Sequence, residues 1–263
     1  MKQRTVDTVI LGAGCWSAGQ VLSGAEVSVI DRGACIGTEY FDSFRQATPF
    51  TDTYKNDWAK QLREELAARG QENDFYALAP LLYAKLKGYH TRFSLWTELV
   101  GIQKENDGWL LSTNCISGME RIFCRKLIDT TPECRSNPAF GRKNIAVSRT
   151  NIAIFTPEPE LLLNWKTPDV SFYAGRSRDE VFASYEHSPS ADYPRVRQAI
   201  IAFWRNRPAG LKSARIATFG RARDFETKEN FKALGENYWY FNGNQFKNAL
   251  VAIDTVEMKN VAQ

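Results

Sequence analysis

Three residues near the start of the chain have the types and spacing of a nucleotide grip. Gly12 and Gly14 stand in Gly12-Ala13-Gly14, directly after the apolar run Val9-Ile10-Leu11, and Asp31 closes a second apolar run, Val27-Ser28-Val29-Ile30. Glycine at a strand end lets the backbone approach a pyrophosphate closely. The helix that follows offers N–H groups and a positive partial charge, and a carboxylate ending the next strand accepts ribose hydroxyls. Ala13 and Cys15 complete the turn. The third glycine of this pattern is replaced by Ser17, a small residue that preserves close packing, with Ala18 and Gly19 as substitutes if the helix entry shifts. From Gly12 to Asp31 the segment is shorter than the usual fingerprint by about one helical turn, ~4 residues. The same residues also suit a βαβ unit whose glycines only make a tight turn.

Other side chains carry weaker chemistry. Cys35 falls just after the Asp31 strand, where a thiol could exchange electrons with a redox cofactor, but it has no second cysteine through Phe50, and a packed or exposed thiol is the plainer reading. His187 titrates near neutrality and could move a proton, although a histidine in a loop is more often only exposed. His90 ends a helix and meets its dipole. Arg176, Arg178, Arg195 and Arg197 could gather a carboxylate, yet residues 195 and 197 do not share a helix face, which favours surface charges. The five cysteines, at 15, 35, 115, 124 and 134, form no CxxC pair, and two histidines add little, so no metal site is expected. The sequence names no catalytic residue.

The elements that must position these groups read as follows. Residues 5–11 form a buried strand, 15–23 a short helix and 26–31 a second strand, and two parallel buried strands so close in sequence need a helical crossover. Residues 40–57 lack a period and look irregular. Helices are expected at about 57–69 and 75–87, a strand at 93–100, and a small antiparallel meander over 109–113 and 121–128. Beyond residue 135, strands at 151–155, 170–174 and 216–220 alternate with loops, and a helix runs over 192–205. A short strand at 239–241, the loop Asn242-Gly243-Asn244 and a helix over 245–258 finish the chain.

Composition narrows the function classes. A formal charge of +4 over 263 residues, with basic residues scattered, gives no nucleic-acid footprint. No run of about 18 apolar residues exists, so no membrane span is expected. Asp7 and two threonines interrupt any signal-peptide core after the basic start, which points to the cytoplasm. Oligomeric state cannot be read.

A resemblance sharpens the cofactor. Asp31-Arg32-Gly33-Ala34-Cys35-Ile36-Gly37-Thr38 resembles the acid–basic–Gly…Gly stretch of FAD-dependent oxidoreductases of the glutathione-reductase-like (two-dinucleotide-binding) superfamily. Residues 78–87 are similar to that family's long helix, Thr97-Glu98-Leu99-Val100 to the strand whose backbone holds adenine, and 109–128 to its meander. Lys126-Leu127-Ile128-Asp129-Thr130-Thr131 resembles the strand that ends in Ala-Thr-Gly, here altered to Thr130-Thr131-Pro132. Residues 240–252 resemble the terminal loop and helix near the flavin, with Asn242-Gly243-Asn244 as a looser counterpart.

The resemblance implies FAD rather than NAD, held by Gly12, Ala13, Gly14, Cys15, Ser17, Asp31, Arg32, Gly37, Thr38, Val100, Thr130, Thr131, Gly243 and Asn244. The expected fold is α/β: a Rossmann-like parallel-sheet FAD domain with an antiparallel meander, built from 1–135 and 214–263, and a small substrate or cap domain inserted at 136–213. The expected function is hydride transfer from a small organic substrate to flavin. Two alternatives stay open: a degenerate, non-catalytic flavoprotein-like binding module, and an NAD-binding dehydrogenase on the same βαβ unit.

Overall fold

The computed structural model describes residues 2–45, 48–71, 74–175 and 177–255. It begins with strand β1 (Lys2–Leu11), helix α1 (Cys15–Leu22), β2 (Val27–Ile30) and the short α2 (Thr38–Phe41). Helices α3 (Asp57–Ala67) and α4 (Phe75–Leu86) precede β3 (Phe93–Ser94), β4 (Glu98–Glu105), β5 (Gly108–Cys115) and β6 (Gly118–Asp129). Then follow α5 (Pro138–Asn144), β7 (Ile145–Phe155), α6 (Pro159–Leu163), β8 (Val170–Ala174), β9 (Glu180–His187) and α7 (Tyr193–Arg205). The last elements are β10 (Arg215–Phe219), β11 (Asp224–Thr227), β12 (Phe231–Gly235), β13 (Tyr238–Phe241) and α8 (Ala249–Asp254).

The chain divides into two compact units, one of residues 1–38, 47–144 and 227–263, the other of 39–46 and 145–226. The first is a mixed α/β unit. Its sheet runs β12-β13-β6-β1-β2-β3, in which β13, β6, β1, β2 and β3 are mutually parallel. Parallel strands with both faces covered read as near-continuous apolar runs, which is how β1 and β2 were legible. Strand β6 serves two partners along one edge: residues 118–124 pair antiparallel with β5, and 127–129 pair parallel with β13. The meander and the parallel sheet therefore share one long strand. Val9, Leu11, Leu111, Ile122, Leu127 and Tyr238 are buried together on one side of it.

Helix α8 lies against α1 at Gly19, where a Cβ would sit 2.5 Å from the Ile253 carbonyl oxygen. The small residue that the nucleotide pattern wanted near position 17 thus serves a helix–helix approach at 19. Ser17 itself is buried, and its hydroxyl donates to the Gly14 carbonyl at 2.8 Å.

The second unit is antiparallel, ordered β10-β7-β9-β8 with β11 on β7. Helix α7 buries Val196, Ile200 and Trp204, spaced four apart, among Ile152, Ile154, Val181 and Ala183 of the sheet.

The structure departs from the sequence expectations in several places. The strand expected over 93–100 is two: β3 pairs with β2 and β4 with β5, and the chain changes partners through Trp96, whose φ is 54°. The strand expected at 151 starts at 145. The terminal helix starts at 249 rather than 245, because Asn248 caps it by accepting from the Val251 N–H at 2.9 Å; residues 256–258 of that expected helix lie outside the described residues. Strands β9, β11 and β12 had no counterpart in the sequence reading.

The close approach at Gly19 gives a stability test. Gly19→Ala is expected to destabilise by about 1–3 kcal/mol through overpacking. Gly88→Ala, where a Cβ would meet nothing within 4 Å, is expected to change stability by no more than about 0.5 kcal/mol. Thermal unfolding of the two variants side by side measures the difference.

Candidate nucleotide-binding site

In parallel sheets, ligands bind outside the carboxyl ends of the strands. Four such ends gather here: Leu11 of β1, Ile30 of β2, Asp129 of β6 and Phe241 of β13. Gly12 leaves β1 with φ +104°, its N–H donates to the Ile30 carbonyl at 2.8 Å, and a Cβ on it would lie 2.5 Å from Thr130 Oγ1. Only glycine satisfies both the dihedral and the space. Gly14 then caps α1 in an extended conformation, φ −84° and ψ 176°, and supplies no side-chain bond to the helix. Cys15 is buried in the first turn of α1. The loop after β2 returns to this turn, where the Gly37 N–H donates to the Ala13 carbonyl at 2.8 Å; Thr38 follows it.

Asp31 braces the turn from the side. Its Oδ2 accepts from the Ala13 N–H at 2.9 Å and its Oδ1 from the Gly33 N–H at 2.5 Å. A carboxylate offers about four lone-pair sites, so it retains capacity for hydroxyl donors. Asp31 opens on a shallow cleft whose other walls include Gly12, Thr97, Leu99, Thr131 and Arg135. Arg32 lies on its rim, 53% exposed and 3.7 Å from Glu133. Val100 is the residue after that wall and is largely exposed.

The far wall depends on a buried carboxylate. Asp129 has no solvent exposure. Its Oδ1 accepts from the Thr131 N–H (2.8 Å) and hydroxyl (2.5 Å), and its Oδ2 from the Ser136 N–H (2.7 Å) and hydroxyl (2.6 Å). The Tyr238 hydroxyl donates in turn to Ser136 Oγ at 2.7 Å. Burial pushes the Asp129 carboxyl up, and the four donors oppose it. Beside it, burial raises the Cys134 thiol to about 12, so it stays protonated and takes no part in thiolate chemistry.

Thr130 ties the turn to both chain ends. Its N–H and hydroxyl donate to the Leu11 carbonyl at 2.8 and 2.7 Å, and its own carbonyl accepts from the Gly243 N–H at 3.2 Å. Asn244 is buried next to it, its N–H held by Asn242 Oδ1 at 2.9 Å. The structure therefore brings Gly12, Ala13, Gly14, Asp31, Gly37, Thr130, Thr131 and Gly243 into one connected network. The sequence reading passed over Asp129 and Arg135. The signal for Asp129 was a carboxylate ending an apolar strand with hydroxyl residues two and seven positions later.

These residues fit the adenosine and phosphate end of a dinucleotide. The cleft joins a carboxylate with spare lone pairs to a glycine turn, and the buried Arg135 Nε has no hydrogen-bond partner among the described residues.

The remaining candidates lie elsewhere. His187 is the last residue of β9 and not part of a loop. Thr150 Oγ1 lies 2.9 Å from its Nε2 and the Ser188 carbonyl 3.1 Å from its Nδ1, so both ring nitrogens have partners. Burial lowers its pKa below 6.5. Arg197 stacks on Phe219, 4.6 Å from the ring centroid, and Arg176 lies outside the described residues. Cys35 is half-buried with a free thiol. Among the described residues no group of histidine, cysteine and carboxylate side chains could hold a metal ion, and no helix is long and apolar enough to cross a membrane.

No protein-family model and no curated protein matches the chain. Solved structures share its fold. The p-nitrophenol 4-monooxygenase PnpA of Pseudomonas putida is 12% identical, with a TM-score of 0.53 over 97% of this chain and 78% of that one. A flavoprotein/dehydrogenase of Cytophaga hutchinsonii, also 12% identical with a TM-score of 0.53, matches over 95% and 75%. BexE, studied for oxidation during a biosynthesis, is 11% identical with a TM-score of 0.55 over 89% of this chain and 55% of its own.

Two measurements test the site's architecture. Asp129→Asn, which leaves an amide N–H₂ facing donors, is expected to destabilise by about 2–4 kcal/mol, against about 1 kcal/mol for Tyr238→Phe, both read from urea unfolding. For His187, a folded pKa below 6.5 means that its contribution is present above that pH and is lost as pH falls through the folded value. The unfolding temperature is therefore expected to drop as pH is lowered from about 7.5 to about 5.5, and His187→Gln to flatten that part of the curve.

Proposed function

We propose that the chain is an FAD-dependent oxidoreductase that accepts hydride from a small organic substrate. The observation that carries this reading is the convergence of Gly12, Asp31, Thr131 and Arg135 on one cleft, with Gly12 two residues before the glycine cap of α1, in a chain sharing its fold with flavoproteins. Asp31 takes the ribose hydroxyls with its unfilled lone pairs. The α1 N-terminus, capped only by glycine backbone, faces its positive end to the phosphates. Gly37 and Thr38, Thr130 and Thr131, and Gly243 and Asn244 carry the contacts toward the flavin half. When bound, FAD supplies the hydride acceptor, and the protein supplies orientation and electrostatics. Five cysteines with no disulfide among them suit a reducing compartment, the cytoplasm.

One observation favours a second reading, a binding module without turnover. The Thr131 and Ser136 amides are both committed to Asp129, and Pro132 has no N–H, so the turn where the family carries Ala-Thr-Gly has few donors left for a ligand.

The visible absorption spectrum of the purified protein and its uptake of added FAD test the first reading. Gly14 lies in a backbone region open to any residue, so Gly14→Val keeps the turn's dihedrals while placing a branched side chain at the cap of α1, where the phosphates are proposed to lie. Wild type is expected to show flavin bands, and Gly14→Val to lose FAD at least about tenfold in affinity. A colourless wild type that takes up no added FAD would sink the proposal. Flavin that binds but is reduced by no organic donor selects the second reading.

A further inference from the structure

The turn held by Asp129 places Arg135 at the cleft, and its buried Nε has no hydrogen-bond partner among the described residues. The Arg135 N–H donates to Thr131 Oγ1 at 3.0 Å, and the next residue is fixed by two bonds to Asp129. The root of the side chain is therefore held by the buried cluster around Asp129. Arg135 lines the cleft and its side chain is 23% exposed. Nη1 stands 3.8 Å from Asp31 Oδ1, beyond hydrogen-bond reach, and the buried Nε has no partner. A buried Nε–H without a partner is unfavourable, and an oxyanion entering the cleft would satisfy it together with the neighbouring Nη group. A planar fork of donors matches phosphate, which accepts two parallel N–H bonds. Arg32 on the rim is different: it is half-exposed and water can satisfy it.

We infer that Arg135 is an anion clamp for a phosphate carried on the ribose of the nucleotide whose hydroxyls Asp31 accepts. Ligand entry exchanges the loose Arg135–Asp31 pairing for bidentate bonds to phosphate and leaves the carboxylate to the sugar. The assignment rests on the nucleotide part of the proposed function and not on its flavin. The phosphate comes either from the diphosphate bridge of a dinucleotide or from a phosphorylated ribose 2′-hydroxyl, and the two are separable.

Calorimetric titration of the full chain with adenosine, adenosine 5′-monophosphate, adenosine 2′-monophosphate and FAD decides the matter, using wild type, Arg135→Gln and Arg135→Lys. Arg135→Gln is expected to weaken the 5′-monophosphate and FAD by about 10- to 100-fold and to leave adenosine unchanged, with Arg135→Lys between. Loss confined to the 2′-monophosphate keeps the clamp and removes FAD as its ligand. The same follows if FAD is not bound while a monophosphate binds in an arginine-dependent way. Equal affinities of wild type and Arg135→Gln for every phosphorylated ligand overturn the clamp and leave the flavin reading standing. A wild type that binds no phosphorylated ligand better than adenosine overturns the clamp as well, and binding of none of the four overturns both. If Arg135→Gln does not fold, as judged by its unfolding temperature, Arg135→Lys carries the comparison, because it keeps the charge and loses the fork.

Discussion

The cleft exists because a carboxylate with no access to water sits at the end of β6 and is satisfied four times over. An isolated buried charge would be several kcal/mol unfavourable. At Asp129 both oxygens are bonded, one by Thr131 and the other by Ser136, so the chain between them has little freedom. That closed turn fixes Thr131 and Arg135 as the far wall, while Asp31 and the Gly12 turn form the near one. The same strand pairs with β1 along its length, and with β5 and then β13 along its other edge. Stability of the sheet and shape of the site are thus one constraint, expressed through β6.

Close packing carries that constraint to the chain ends. Gly12 admits Thr130 Oγ1, Thr130 reaches the Leu11 carbonyl and Gly243, and Gly19 admits the backbone of Ile253. Each approach needs a small residue or a hydroxyl, and each joins segments more than a hundred residues apart. A nucleotide bound across these ends would stabilise the folded unit by mass action, since the unfolded chain offers no such convergence.

Much of this was legible in the sequence because the signal was local. Buried parallel strands read as apolar runs, glycine after β1 marked the turn, and α3, α4 and α7 showed helical spacing with caps or stops. What escaped was non-local. Strand β9, Glu180-Val-Phe-Ala-Ser-Tyr-Glu-His187, is half polar and follows a proline-rich stretch; it becomes a strand by pairing with β7 and β8 on both sides. Strand β12, with Lys232 and Gly235, has little strand character and forms on the edge beside β13. Arg135 could not be singled out, since an arginine amid Cys134-Arg135-Ser136 gains meaning only when the turn closes over Asp129 and faces Asp31.

The short first helix and the altered Thr130-Thr131-Pro132 turn are connected by the same geometry. A full-length fingerprint offers a ligand amides from both the glycine turn and the β6 turn. Here the second set is internal, directed to Asp129, and Ala13 N–H is directed to Asp31. The ligand-facing donors that remain are at the α1 N-terminus and on side chains, above all the guanidinium of Arg135. With Arg135 as the proposed anion clamp, recognition would rest on a side chain instead of the backbone, and the fold of a dinucleotide grip would be kept while what sets its affinity changes. The site's selectivity then follows from where one phosphate can meet one arginine, which is a narrower requirement than a glycine turn imposes.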